Sequence, residues 1–178
     1  MTQYSSLLLV LLVLCNASSK SISSAKVDVD VICTQAQNPT YCSNLLNSKP
    51  GGAKGVDLVD LAQYTLNMLD SNLAKTQRVI AKLENAYNDN VLQYYYPCTR
   101  DAIDIAIRIG DAEKDLYSKQ YSSMAKHTAE IMPFIRECGD NLHKNKTGYS
   151  PLVAKSVDVL RQVAQVIQTI VNYLNLEK

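Results

Sequence analysis

The sequence has no tryptophan, one phenylalanine, two histidines, and only 6 glycines and 5 prolines in 178 residues. A fold of many short strands needs frequent Gly/Pro turns, so this scarcity favours long helices. No basic cluster is present: 18 Lys and Arg face 17 Asp and Glu, a net charge of +1. Nucleic-acid binding needs a basic stripe or face, and none is available. No G-x-S-x-G, H-E-x-x-H or phosphate-cradling glycine motif occurs. Lys49 to Gly55 contains three glycines but lacks the G-K-[ST] ending of a P-loop, and reads as a linker. His127 and His143 have no partner that spacing identifies and read as exposed or boundary residues. The expectation is a chain without catalytic group set, cofactor or metal. With 47% apolar and 20% charged residues it is a folded protein of one-domain size.

Residues 1–17 carry no charge, and Leu7 to Leu14 is an unbroken apolar run of eight. Cys15-Asn16-Ala17 then offers small residues at a cleavage site. This is the pattern of a secretory signal peptide, although the usual N-terminal Lys or Arg is missing. A membrane anchor is the rival, but the run is too short to span a bilayer. The mature chain is therefore expected from residue 18, as one domain over 18–178, with no membrane attachment after signal removal.

Apolar residues then recur in steps of three and four, the period of helices packed along a seam. One stripe runs Leu58, Leu61, Thr65, Leu69, Asn72, Thr76, Val79, Leu83. A second runs Val91, Tyr95, Cys98, Ala102, Ile105, Ile109, Ala112, Leu116. A third runs Tyr121, Met124, Thr128, Ile131, Ile135, Cys138, Leu142, with Pro133 expected to kink it. The last, Val153 to Leu174, follows Ser150-Pro151, an N-cap and first-turn proline. Before them, two short helices flank Asn38-Pro39. Asn85 to Asn90 and Asn141 to Tyr149 read as loops. The fold class is all-α: an up-and-down antiparallel four-helix bundle over about 57–176, preceded by an α-hairpin over about 27–48.

Without Cys15 the cysteines number four: Cys33, Cys42, Cys98 and Cys138. In a secreted chain this implies two disulfides. Zinc would want C-x2-C pairs, which are absent. Four cysteines allow three pairings, and the helical register selects one. Cys98 and Cys138 stand on seams at equal distance from Ser118-Lys119-Gln120, about 20 residues or roughly 30 Å each way. A turn there brings them level. Cys33 and Cys42 are likewise symmetric about a turn beside Asn38. The pairs are Cys33–Cys42 and Cys98–Cys138.

Three further features bear on function. Asp101, Asp104, Asp111, Glu113 and Asp115 are interleaved with Arg100, Arg108 and Lys114, and read as a solvated face rather than paired catalytic acids. Tyr94-Tyr95-Tyr96 points three aromatics in three directions; packing is the plain reading, an aromatic anchor for a partner the functional one. Asn145-Lys146-Thr147 is a glycosylation sequon in a loop, so Asn145 is the expected acceptor.

These residues resemble the plant invertase/pectin methylesterase inhibitor family across the whole mature chain. The likeness rests on the four-cysteine framework and the signal peptide. Pro39, Cys42 and Leu46 match P-x2-C-x3-L, and Asp104 lies six residues after Cys98. Lys119-Gln120-Tyr121 resembles the K-x-Y segment before the fourth cysteine, and Ser150-Pro151-Leu152 the S-P-L opening of the last helix. Ala36, Arg100, Ala102 and Met132-Pro133-Phe134 depart from the family's pattern. The resemblance implies a hairpin packed on a four-helix bundle and a secreted inhibitor, acting one-to-one and reversibly on pectin methylesterase or acid invertase. Invertase inhibitors insert Pro-Lys-Phe where this chain has Lys119-Gln120-Tyr121, so that motif is absent here.

The reading is thus a monomeric extracellular inhibitor of the cell wall, with the vacuole as alternative address. Its partner is the target enzyme, contacted through Lys119, Gln120, Tyr121, Tyr94 and Tyr96. The rival is a non-inhibitory bundle binding a protein partner, or a small apolar ligand in a cavity lined by Ile105, Ile109, Ile131 or Ile167.

Overall fold

The computed structural model describes residues 28–84, 93–144 and 150–176. The signal segment, Cys15, Val91, the loop from Asn85 to Asn90 and the sequon at Asn145 lie outside the described residues. Among the described residues there are six helices and no strand. They are α1 (Val29–Thr34), α2 (Pro39–Asn47), α3 (Leu58–Glu84), α4 (Tyr96–Tyr117), α5 (Tyr121–Lys144) and α6 (Pro151–Leu176).

The helix starts follow from local chemistry. Side chains of Asp28, Asn38, Asp57 and Ser150 each accept a hydrogen bond from a first-turn amide that has no intrahelical partner. Pro39 and Pro151 occupy the first turn of their helices, where the missing N–H costs nothing. Between α2 and α3, Gly51, Gly52 and Gly55 all take positive φ (85°, 78° and 74°), a region closed to most side chains.

The long helices pack in the cyclic order α3–α4–α5–α6, each against its sequence neighbour and α6 against α3. This is the expected up-and-down bundle. Every α6 stripe residue from Val153 to Leu174 is buried, and the α4 stripe from Tyr95 to Leu116 is buried throughout. The hairpin α1–α2 lies on α6. Tyr173 donates its hydroxyl to the Val31 carbonyl at 3.1 Å, and the Asn38 amide donates to Gln162 at 2.9 Å. Buried Thr65, Thr76 and Thr128 each return their hydroxyl proton to the carbonyl four residues back, which satisfies all three donors. The structure joins Cys33 to Cys42 and Cys98 to Cys138, with Cα separations of 5.5 Å and 4.6 Å.

Three details differ from the sequence reading. Beyond Leu69 the buried stripe of α3 runs Leu73, Thr76, Ile80 rather than Asn72, Val79, Leu83. Asn72 turns its amide onto the Met68 carbonyl at 2.7 Å, and the adjacent leucine takes the core position. The helix α4 begins only at Tyr96, with Pro97 in its first turn, where the missing N–H has no intrahelical partner to lose. Tyr94 and Tyr95 therefore precede the helix. Third, Asp101 is fully buried rather than part of a solvated face. As the sequence places it, Pro133 lies inside α5; that proline and Ala129, whose carbonyl loses its amide donor, are both on the solvent side.

Candidate functional site

The turn between α4 and α5 is built as a Schellman cap. Lys119 takes the left-handed conformation (φ 57°) and donates its N–H to the Leu116 carbonyl at 3.1 Å. Gln120 N–H reaches back to the Asp115 carbonyl at 2.8 Å. This pair of bonds satisfies two carbonyls that α4 would otherwise leave open. The Gln120 carbonyl then accepts from Met124 N–H at 2.9 Å and starts α5. Outside the turn, Asn175 at the end of α6 donates to the Tyr121 carbonyl at 3.3 Å. The His127 Nδ1 lies 2.9 Å from Asp115 Oδ2, both side chains being mostly buried. That is the histidine partner spacing did not disclose.

Lys119 and Gln120 consequently project from a braced turn: both are exposed, and Tyr121 is half-buried. At the other end of α4, Tyr95 is buried (2% exposed) while Tyr96 is open (70%). Tyr94 is half-buried. The two expected contact groups do not converge, since 22 helical residues separate them by roughly 33 Å. What joins them was not singled out from the sequence. Tyr96, Ile103, Ile107 and Tyr117 are all exposed, at steps of seven, four and ten residues. At 3.6 residues per turn these steps keep one side of α4, nearly opposite its buried seam. The available signal was two isoleucines lying off the α4 stripe.

Ion pairs flank this row and tie α4 to α5. Arg108 Nε lies 3.2 Å from Glu130, and Arg100 bridges Asp101 Oδ1 (2.8 Å) and Glu137 (2.6 Å). Bonds to both carboxylates raise the Arg100 pKa beyond its ordinary value, so it is a fixed positive charge. Lys114 also lies on the outward side, 3.7 Å from Asp111.

No group of side chains suited to a metal occurs among the described residues. The interior cavity beside Ile105 holds only about 10 Å³, room for about one water, and cannot take a small apolar ligand.

The model of the family described as plant invertase/pectin methylesterase inhibitor matches residues 27–176. The chain belongs to this family. A pectinesterase inhibitor from Actinidia deliciosa is 28% identical over 138 residues, covering 76% of this chain and 74% of the relative. Pectinesterase inhibitor 2 of Arabidopsis thaliana is 21% identical over 155 residues, 86% of this chain and 88% of the relative. Among solved structures, a mutant form of an Arabidopsis pectin methylesterase inhibitor superposes with a TM-score of 0.72 at 19% identity. That match covers 81% of this chain and 95% of the other, and supports the all-α fold. Membership makes the chain an enzyme inhibitor by family and not an enzyme. Two formed disulfides accord with a secreted inhibitor, and no described helix is long and apolar enough to cross a membrane.

Proposed function

We propose that the chain is a secreted inhibitor of pectin methylesterase, one that covers the enzyme's substrate cleft with the outer side of α4 and the α4–α5 turn. The observation that carries this reading is the set of exposed residues Tyr96, Ile103, Ile107 and Tyr117 on one side of α4, leading into Lys119-Gln120-Tyr121. An open apolar row on a helix whose other side is fully buried favours a protein contact, and aromatic residues supply large contact area there. Two relatives carry the name pectinesterase inhibitor, and the Pro-Lys-Phe insertion expected of an invertase inhibitor is missing from the turn.

The action is steric and reversible, one inhibitor to one enzyme, with the inhibitor itself a monomer. A helical surface held by two disulfides and a capped turn loses little freedom on docking, so little binding energy is consumed in ordering it. Lys119 contributes a cation and Tyr96, Tyr117 and Tyr121 contribute rings, with Tyr94 at the margin. The protein acts at the cell wall after removal of residues 1–17, with a glycan on Asn145.

The test is titration of the purified mature protein into pectin methylesterase and into acid invertase from about pH 4 to about pH 7. Loss of pectin methylesterase activity, complete at one equivalent, with invertase untouched, is the expected result. Pectin methylesterase that keeps full activity throughout overturns the assignment, and loss of invertase activity alone moves the target to that enzyme.

A further inference from the structure

Asp101 faces a core that offers it too few partners. Its side chain is 1% exposed, and both of its hydrogen bonds fall on one oxygen: Arg100 Nη2 reaches Oδ1 at 2.8 Å and Nε at 3.1 Å. The other oxygen, Oδ2, is buried with no hydrogen-bond partner among the described residues. Asp101 lines the small interior cavity beside the Cys98–Cys138 disulfide. The only hydroxyl lining that cavity belongs to Thr76, and its proton is already committed to the Asn72 carbonyl at 2.8 Å. Arg100 in turn divides its charge with Glu137 on α5.

We propose that Asp101 is a buried proton-binding site that locks the α4–α5 seam in acid and loosens it as the pH rises. Ionised, it holds a negative charge in an apolar wall with one oxygen that no described protein donor reaches, and it competes with Glu137 for Arg100. Protonated, it is neutral, and Arg100 is left to Glu137 across the seam. The charged groups around it are few: Arg100 and Asp104 on its own helix and Glu137 on α5. The α3 side of the cavity is Leu73, Thr76 and Ile80, and the α6 side is Val157 and Leu160, none of which titrates there.

Burial pushes the Asp101 pKa above its ordinary value. The Arg100 hydrogen bonds and charge oppose that rise, while Glu137 and Asp104 add to it. The folded protein therefore binds this proton more tightly than the unfolded chain does. The stability gained is fully present below the unfolded-chain value of 3.8 and is lost as pH rises through the folded-state pKa.

Carboxyl ¹³C NMR titration of the mature protein tests the site directly. A midpoint for Asp101 above the ordinary aspartate value is expected, and one at or below it overturns the proposal. Thermal melting from about pH 4 to about pH 8 is the second measurement. Wild type should lose Tm relative to Asp101→Asn as pH rises, with the two converging in acid; parallel curves overturn the proposal. Arg100→Gln should move the Asp101 midpoint further upward, and an unchanged midpoint counts equally against it. Neither measurement involves a target enzyme, so their failure leaves the inhibitor reading standing.

Discussion

His127 on α5 meets Asp115 on α4 at 2.9 Å, directly behind the turn that presents Lys119. The same Asp115 residue receives the Gln120 amide on its main-chain carbonyl. One residue thus anchors the turn from two sides, through side chain and backbone.

Replacing His127 with alanine should cost about 1 kcal/mol, the usual net worth of a hydrogen bond of this kind. Amide hydrogen exchange at Lys119 and Gln120 should speed up more than exchange in the middle of α4. Uniform acceleration along the helix would mean that the pair serves global stability instead.

A change at Lys119 tests fold and the proposed recognition separately. Its left-handed backbone suits glycine, so Lys119→Gly should leave stability unchanged or raise it by up to about 1 kcal/mol. The same change removes the exposed cation and should weaken enzyme inhibition about tenfold, as charge-bearing contacts of moderate strength do. Equilibrium unfolding and an inhibition assay on one preparation check both halves.

Ile103 and Ile107 carry the centre of the exposed row. Ile103→Glu with Ile107→Glu places a good helix former at both positions and disturbs no buried contact, so Tm should shift by only a few degrees. Inhibition should fall by roughly two orders of magnitude or more, because charge at the centre of a desolvated interface is heavily penalised. Undiminished inhibition would place the docking surface on another helix.

The two disulfides should differ in weight. Removing Cys98–Cys138, which closes a 40-residue separation, should cost about 4 kcal/mol by loop entropy, against about 2.5 kcal/mol for Cys33–Cys42 at 9. Paired Cys→Ser variants and chemical denaturation measure the difference. Equal losses would locate the stabilisation in the native contacts rather than in the unfolded chain.

The bundle was legible because its seams are regular. The α4 and α6 stripes step by three and four without interruption, and equal distances from the Ser118 turn fix which cysteines meet. The upper half of α3 was harder, since Asn72 and Leu73 both satisfy a three-or-four step and only packing distinguishes them. Asp101 was misread because residue type outweighed position: it is three residues from Cys98 and four from Ile105, squarely on the buried side. The outward row escaped notice for the converse reason. Ile103 and Ile107 are apolar and sit among charges, so they read as part of a polar surface until their exposure is measured. Pro97 was the overlooked sign that the tyrosine triplet straddles a helix start.

The hairpin rests on α6, through contacts such as Asn38 with Gln162 and Val31 with Tyr173, 124 and 142 residues apart in sequence. A chain synthesised from its N-terminus delivers this hairpin first and its berth last. Until α6 emerges, the surface this hairpin rests on is missing, and the Cys33–Cys42 bond is what can keep the pair of short helices together in the meantime. Maturation thus ends with the oldest part of the molecule settling onto the newest.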